Sequence, residues 1–191
     1  LPPSFSDFLI GQVSAKVAEK VEQNIWNGST STNGEFDGFK TLLLADSDVV
    51  DVSGTTLSAS NIVAELGKVV DAIPSSVYSK EDVQIYLPTS AAKFYIQAQA
   101  ALGYRELYNV GKTELNFQGI NVFVAPGLAA DTLVAAEASN LFFGTGLLND
   151  WQEVKLIDMA DIDGSQNVRV VLRGSAGVQH GIGSDIVLYS S

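Results

Sequence analysis

The chain contains no cysteine, which removes disulfide scaffolds, thiolate zinc sites and cysteine nucleophiles together. Its single histidine, His180, leaves no metal site built from several imidazoles. Charge is sparse and short of cations. Eleven Lys plus Arg stand against 22 Asp plus Glu, for a net charge of −11 and a pI near 4.3. Such a surface repels phosphate backbones and anionic headgroups, which disfavours an autonomous nucleic-acid binder and docking on anionic membranes. No apolar run approaches the roughly 20 residues that cross a bilayer. No basic segment followed by an apolar core opens the chain as a signal peptide would. The first residue is Leu1, not Met, which reads as a processed or trimmed product.

What is present is apolar and spread evenly. With 46% hydrophobic residues over 191 positions and a mean hydropathy of +0.18, the chain has material for one substantial domain or two small ones. Folding would bury roughly 70% of the unfolded surface. Phe5, Leu9, Val13, Val17, Val21 and Ile25 recur every fourth residue, predicting a helix from Phe5 to Trp26 that Asn27-Gly28 stops. Each step drifts by about 40°, so the apolar stripe winds around the helix and needs different partners along its length. The expectation is that it packs on the distant strands 153–157 and 168–173, and that Val17→Asp would place an unpaired charge there and prevent folding.

Residues 28–37 read as a polar loop, followed by Phe36, Phe39 and the run Leu42-Leu43-Leu44. An acidic loop around Asp46, Asp48 and Asp51 leads to Ser58 or Ser60 as helix cap. Ile62, Leu66, Val69, Val70 and Ile73 then form the cleanest amphipathic face in the chain, ended by Pro74. Val83, Ile85 and Leu87 alternate as a strand up to Pro88, and Thr89 or Ser90 caps a helix carrying Phe94, Ala98, Ala101 and Leu102, closed by Gly103. From Gly111 on the pattern is mainly β. Leu115 and Phe117 lie in one phase, and Ile120, Val122 and Val124 in the other, with a bulge or tight turn at Gly119. Further strands are expected at 132–136, 140–143, 153–157, 168–173 and 186–189, the third and fourth joined as a hairpin by the polar turn 158–167. The region of Gly177, Gly181 and Gly183 around His180 reads as a flexible connection.

Candidate chemistry is thin. Asp158, Asp161 and Asp163 before Gly164 suggest a calcium loop, but with Gly164 at the sixth position the first and twelfth ligands would be Met159 and Val170. A solvated hairpin turn is the better reading. His180 lies near Ser184 and Asp185, yet no G-x-S-x-G elbow occurs. Gly144-Thr145-Gly146 follows an apolar strand, but Asn149 stands where a dinucleotide fingerprint needs its third glycine. Asn27-Gly28-Ser29 matches a glycosylation sequon that means little without a secretory signal. Paired carboxylates run glycoside hydrolysis without His or Cys, but the acids cluster in loops such as 46–51. No catalytic, cofactor-binding or metal residue is assigned, no cofactor is implied, and the chain does not read as an enzyme.

Taken in order, the segments resemble the major capsid protein of tailed bacteriophages, the Hong Kong 97-type coat fold. Three stretches carry this: Val21-Glu22-Gln23-Asn24-Ile25-Trp26-Asn27-Gly28 with Phe36-Asp37-Gly38-Phe39; the helix 62–73 with Val83-Gln84-Ile85-Tyr86-Leu87-Pro88; and Gly119-Ile120-Asn121-Val122 through Asn140-Leu141-Phe142-Phe143-Gly144-Thr145 to Val168–Arg173, Gly177-Val178-Gln179 and Asp185–Leu188. The resemblance implies an α+β fold with a long spine helix, a peripheral β-hairpin and an axial domain of mixed sheet flanked by helices. It divides the chain approximately into spine helix and loop (1–35), axial domain (36–150) and peripheral return strands (151–191). It implies a structural coat subunit of a phage or prophage head, partnered by copies of itself in pentamers and hexamers and by neighbouring capsid, scaffold or portal proteins. Packaged DNA would be met only indirectly. The location would be the virion capsid, after assembly in the bacterial cytoplasm, which suits a chain without cysteine. The family's N-terminal arm and extended loop are not seen before residue 1, so a trimmed subunit that stays monomeric or weakly oligomeric in dilute buffer is expected. No isopeptide cross-linking site can be carried over.

An encapsulin-type shell shares the fold, and a cargo-peptide groove would favour it. From another class, a carboxylate-based hydrolase or carbohydrate-binding module would require a cleft with two carboxyl groups about 5–9 Å apart and aromatic walls.

Overall fold

The structure is a computed structural model that describes residues 3–102, 115–146 and 154–191. The chain runs α1 (Pro3–Asn27), α2 (Phe39–Ala45), β1 (Val50–Ser53), α3 (Ile62–Ala72), α4 (Ser75–Tyr78), β2 (Val83–Leu87) and α5 (Thr89–Ala101). There follow β3 (Leu115–Phe117), β4 (Ile120–Val124), β5 (Thr132–Glu137), β6 (Leu141–Thr145), β7 (Val154–Asp158), α6 (Ala160–Asp163), β8 (Val168–Leu172), β9 (Ala176–His180) and β10 (Val187–Ser190). Gly103, Gly111 and the stretch with Asn149, Asp150, Trp151 and Glu153 lie outside the described residues.

Six strands form one mixed sheet in the order β1-β10-β5-β2-β4-β3. Its alternation sorts side chains to two cores. Ile85, Leu87, Leu133, Ala135, Val187 and Tyr189 face one way, under the apolar stripe of α3 and Tyr95 and Ala98 of α5. Tyr86, Val134, Ala136 and Leu188 face the other way, under Trp26, Phe39 and Leu43. With both faces covered, β5 is buried at every position, so it reads as an apolar run and not as an alternating strand. The class is α+β, as the segment order implies.

Several details differ from the sequence reading. Residues 50–53, inside the expected acidic loop, form β1, whose Val50 and Val52 are half-buried while Asp51 and Ser53 are exposed. Residues 39–45 form α2. Neither Ser58 nor Ser60 caps α3; the Asn61 side chain instead accepts the Ser58 backbone N–H at 2.7 Å and its hydroxyl at 2.9 Å. Pro88, not Thr89 or Ser90, occupies the cap of α5, and no side-chain cap bond forms. The Gly119 kink is a tight hairpin turn between antiparallel β3 and β4. Gln118 has φ 48° and Gly119 φ 83°, the pair of positive angles that matches strand twist. The region of Gly177 is strand β9, paired with β6.

β5 and β10 leave the sheet as a ribbon that continues into β6 and β9. Val187 faces Ala135 in the first half and His180 faces Leu141 in the second, so five residues (136–140) oppose six (181–186). The mismatch is taken up by two 3-10 turns, Ala138–Asn140 and Gly183–Asp185, which bend the ribbon. Asn140 pins the bend: its Oδ1 accepts the Ile182 N–H at 2.8 Å and its Nδ2 donates to the Ile182 carbonyl at 2.9 Å.

The C-terminal end of α1 is held by bare backbone. An added Cβ on Gly127 would meet the Glu22 carbonyl oxygen at 2.2 Å. Asn27 closes the contact, its Oδ1 accepting the Ala129 N–H at 3.1 Å and its Nδ2 donating to the Gly127 carbonyl. Trp26 is thereby set between Phe39 (ring centroids 5.4 Å) and Tyr86 (5.1 Å). Gly127→Ala is expected to lower stability by about 1–3 kcal/mol, since two backbone segments must separate. Urea unfolding with tryptophan fluorescence would check it; an unchanged midpoint would refute the close packing.

Candidate functional site

The winding stripe of α1 determines where an apolar concavity lies. Ile25 joins the second core, but one and two turns earlier Val21 and Val17 point to a different body. They meet an apolar groove of about 480 Å³, walled on the other side by Phe143 of β6, Val154 of β7 and Leu172 of β8. The expected partnership of α1 with the late strands is therefore present in position but not as close packing. Val17 is half-exposed on a groove wall, and the expectation that Val17→Asp prevents folding is corrected, because a carboxylate there reaches water.

The groove is chemically plain. Among the described residues Glu22 is the one carboxylate that lines it, and it accepts the Trp26 indole N–H at 3.2 Å. Glycoside hydrolysis needs two opposed carboxyl groups, and the described lining supplies one.

Sequence candidates scatter instead of converging. His180 is buried and pairs through Nε2 with Asp46 Oδ2 at 2.8 Å, tying β9 to the end of α2. Ser184 contacts Asp185 at 3.5 Å, so the triad residues do not share one geometry. Asp158 accepts the Ala160 N–H at 3.0 Å inside the β7–β8 hairpin, and Gly164 takes φ 71°. Among the described residues no group of three or more His, Asp and Glu side chains is placed to hold a metal ion. Gly144 and Thr145 lie in β6, paired to β9, not at a strand-to-helix turn. Both amide atoms of the sequon residue Asn27 are engaged.

Two buried carboxylates escaped the sequence reading, Glu137, which pairs with Lys80, and Glu65. Glu65, on the buried face of α3, accepts the Tyr189 hydroxyl at 2.8 Å, the Lys68 ammonium at 2.9 Å and the Thr55 hydroxyl at 3.3 Å. The signal was present: Glu65 lies three residues after Ile62, within the apolar stripe. The Lys68 hydrogen bond, with those from Tyr189 and Thr55, holds its carboxyl below the usual range against the opposing effect of burial. Burial, then the Glu65 hydrogen bond, pushes the Tyr189 phenol up to about 12. Hydrogen bonding to His180 likewise holds Asp46 low.

No protein-family model and no curated protein sequence matches the chain. Solved structures do match in fold. The Satellite phage P4 procapsid aligns with a TM-score of 0.69 at 10% identity, covering 98% of this chain and 64% of that chain. The capsid of an empty GTA particle aligns at 0.61 and 13% identity, covering 96% and 65%. A cyanophage A-1(L) capsid subunit aligns at 0.62 and 10% identity, covering 97% and 69%. This chain thus spans about two thirds of the length of those coat proteins and has their fold.

Two outcomes are expected. Stability supplied by Glu65 and Asp46 is present above the ordinary carboxylate range and lost as pH falls through their lowered values. Stability supplied by Tyr189 is present below pH 10 and lost as pH rises toward about 12. Denaturant midpoints across pH should therefore fall on both sides, and Tyr189→Phe should blunt the alkaline fall. Val17→Asp should cost no more than about 1 kcal/mol while abolishing binding of an apolar dye in the groove; loss of folding by circular dichroism would refute the open groove.

Proposed function

We propose that the chain is a structural coat subunit that self-assembles into the icosahedral head of a tailed phage or prophage. The observation that carries this reading is the alignment of 98% of the chain with a phage procapsid subunit at a TM-score of 0.69. Its partners are copies of itself in pentamers and hexamers, with neighbouring capsid, scaffold or portal proteins around them, in a virion shell assembled in the bacterial cytoplasm. The division follows the spine: residues 1–35 with the β7–β8 hairpin form the peripheral body, and residues 36–150, with β10 returned to the sheet, form the axial body.

Physical chemistry supports the role. A surface of net charge −11 does not adsorb packaged DNA, so the genome stays free to move. A sheet buried on both faces resists bending, which suits a plate that tiles a shell. An encapsulin-type shell remains the second reading, favoured by the apolar groove beside α1, since cargo peptides bind such concavities.

Acidic plates repel one another at low salt, with a Debye length of about 10 Å at 0.1 M. The 191-residue chain is therefore expected as a monomer or small oligomer in dilute buffer, and the full product of its gene as rings or closed shells. Light scattering and electron microscopy on both forms would check this. A full gene product that stays monomeric at every salt and protein concentration would sink the coat-subunit reading.

A further inference from the structure

The β7–β8 hairpin is an amphipathic ribbon of unusual charge for this chain. Its register places Lys155 opposite Val171 and Ile157 opposite Arg169, so these four side chains share one face. Arg173, one residue past β8, continues that phase. The alternate set, including Val154 and Leu172, looks into the groove beside α1. Lys155, Arg169 and Arg173 are exposed, while Ile157 and Val171 are half-buried between them. Three of the chain's 11 cations thus lie on one short face of an acidic protein. Arg169 and Arg173 make no ion pair among the described residues. No side chain of either strand is fully buried, and a two-stranded ribbon is marginal in water unless something packs on it.

The opposite end of the same hairpin carries the complementary charge. Asp158, Asp161 and Asp163 fall at the tip, on and beside α6, with Ile162 there 66% exposed. Within one copy the tip cannot reach Arg173, because Asp158 pairs with Val168, and Arg173 lies five positions on, about 17 Å along the strand at roughly 3.3 Å per residue.

We propose that the outer face of the β7–β8 ribbon is a docking surface for a second copy of this chain, and that it takes that copy's acidic hairpin tip, head to tail. The occupant rests on the coat-subunit reading. The cations meet the tip aspartates, and the aliphatic strip of Ile157 and Val171 receives Ile162. Such a contact joins different patches on the two copies, the kind of interface that generates rings when the rotation between copies closes. Duplex DNA fits the face less well: three cations give weak phosphate binding on a molecule of net charge −11, and phosphates leave the aliphatic strip uncovered.

The absence of native cysteine allows a direct test. Two variants of the chain, Ile162→Cys (tip) and Val171→Cys (stem), are mixed under mild oxidation after circular dichroism confirms folding. Random collision gives a mixed disulfide only twice as abundant as either homodimer. Docking predicts a several-fold excess of the mixed species, falling as salt rises from about 50 to about 500 mM. That excess should be lost when Arg169→Glu and Arg173→Glu are added to the stem variant. A random pattern, or one indifferent to salt and to charge reversal, would overturn the proposal. So would retention of duplex DNA that suppresses formation of the mixed disulfide, since the face would then bind phosphates. Electron microscopy of the full gene product judges the coat reading separately: shells with a random disulfide pattern would sink only this inference, and a mixed excess without shells only the coat reading.

Discussion

Everything on the second face of the sheet depends on one approach of backbone to backbone. The last turn of α1 lies against Gly127 so closely that no side chain fits between them, and Asn27 supplies the hydrogen bonds that hold it there. Trp26, Phe39 and Leu43 cover Tyr86, Val134 and Leu188 only because this contact sets the height of the helix over the strands. A methyl group at residue 127 would lift the helix, loosen the tryptophan and expose one side of a sheet whose inner strands carry no polar face.

With its end fixed, the direction of α1 decides the rest of the periphery. A strict four-residue ladder on a helix of 3.6 residues per turn cannot keep to one side. Ile25 serves the core and also lines the groove, where Val21 and Val17 join it opposite Phe143, Val154 and Leu172. The molecule therefore combines a rigid plate with an open margin. The plate is locked by polar clamps at its seams: Glu65 with Tyr189, Asp46 with His180, and Asn140 across the ribbon bend. The margin offers apolar and charged surface.

Much of the fold was legible in the residues. Long amphipathic segments such as 62–73 declared themselves because their burial is one-sided, and the hairpin 154–172 because two apolar strands flank a polar turn. Residues 50–53 were hidden for a physical reason: an edge strand of four residues with polar Asp51 and Ser53 at alternate positions reads as a loop until its neighbour, more than 130 positions later in the chain, is known. β9 was hidden by glycine. The groove was not legible at all, since it arises from a gap between elements and not from any residue type. Glu65 was visible but unweighed, an acid inside an apolar stripe whose partners come from loop and strand. The coat-protein likeness rested on the order of elements, which is the level at which the solved structures also agree, at 10–13% identity.

β10 has a further consequence, for the order in which the protein is made. It is the last strand in the chain, yet it lies inside the sheet, parallel to β1 and antiparallel to β5. During synthesis β1 and β5 emerge first and have no partner for each other until residues 187–190 clear the ribosome. The nascent subunit thus carries a split plate with two unpaired edges, and translation of one short segment, Val187-Leu188-Tyr189-Ser190, zips it shut.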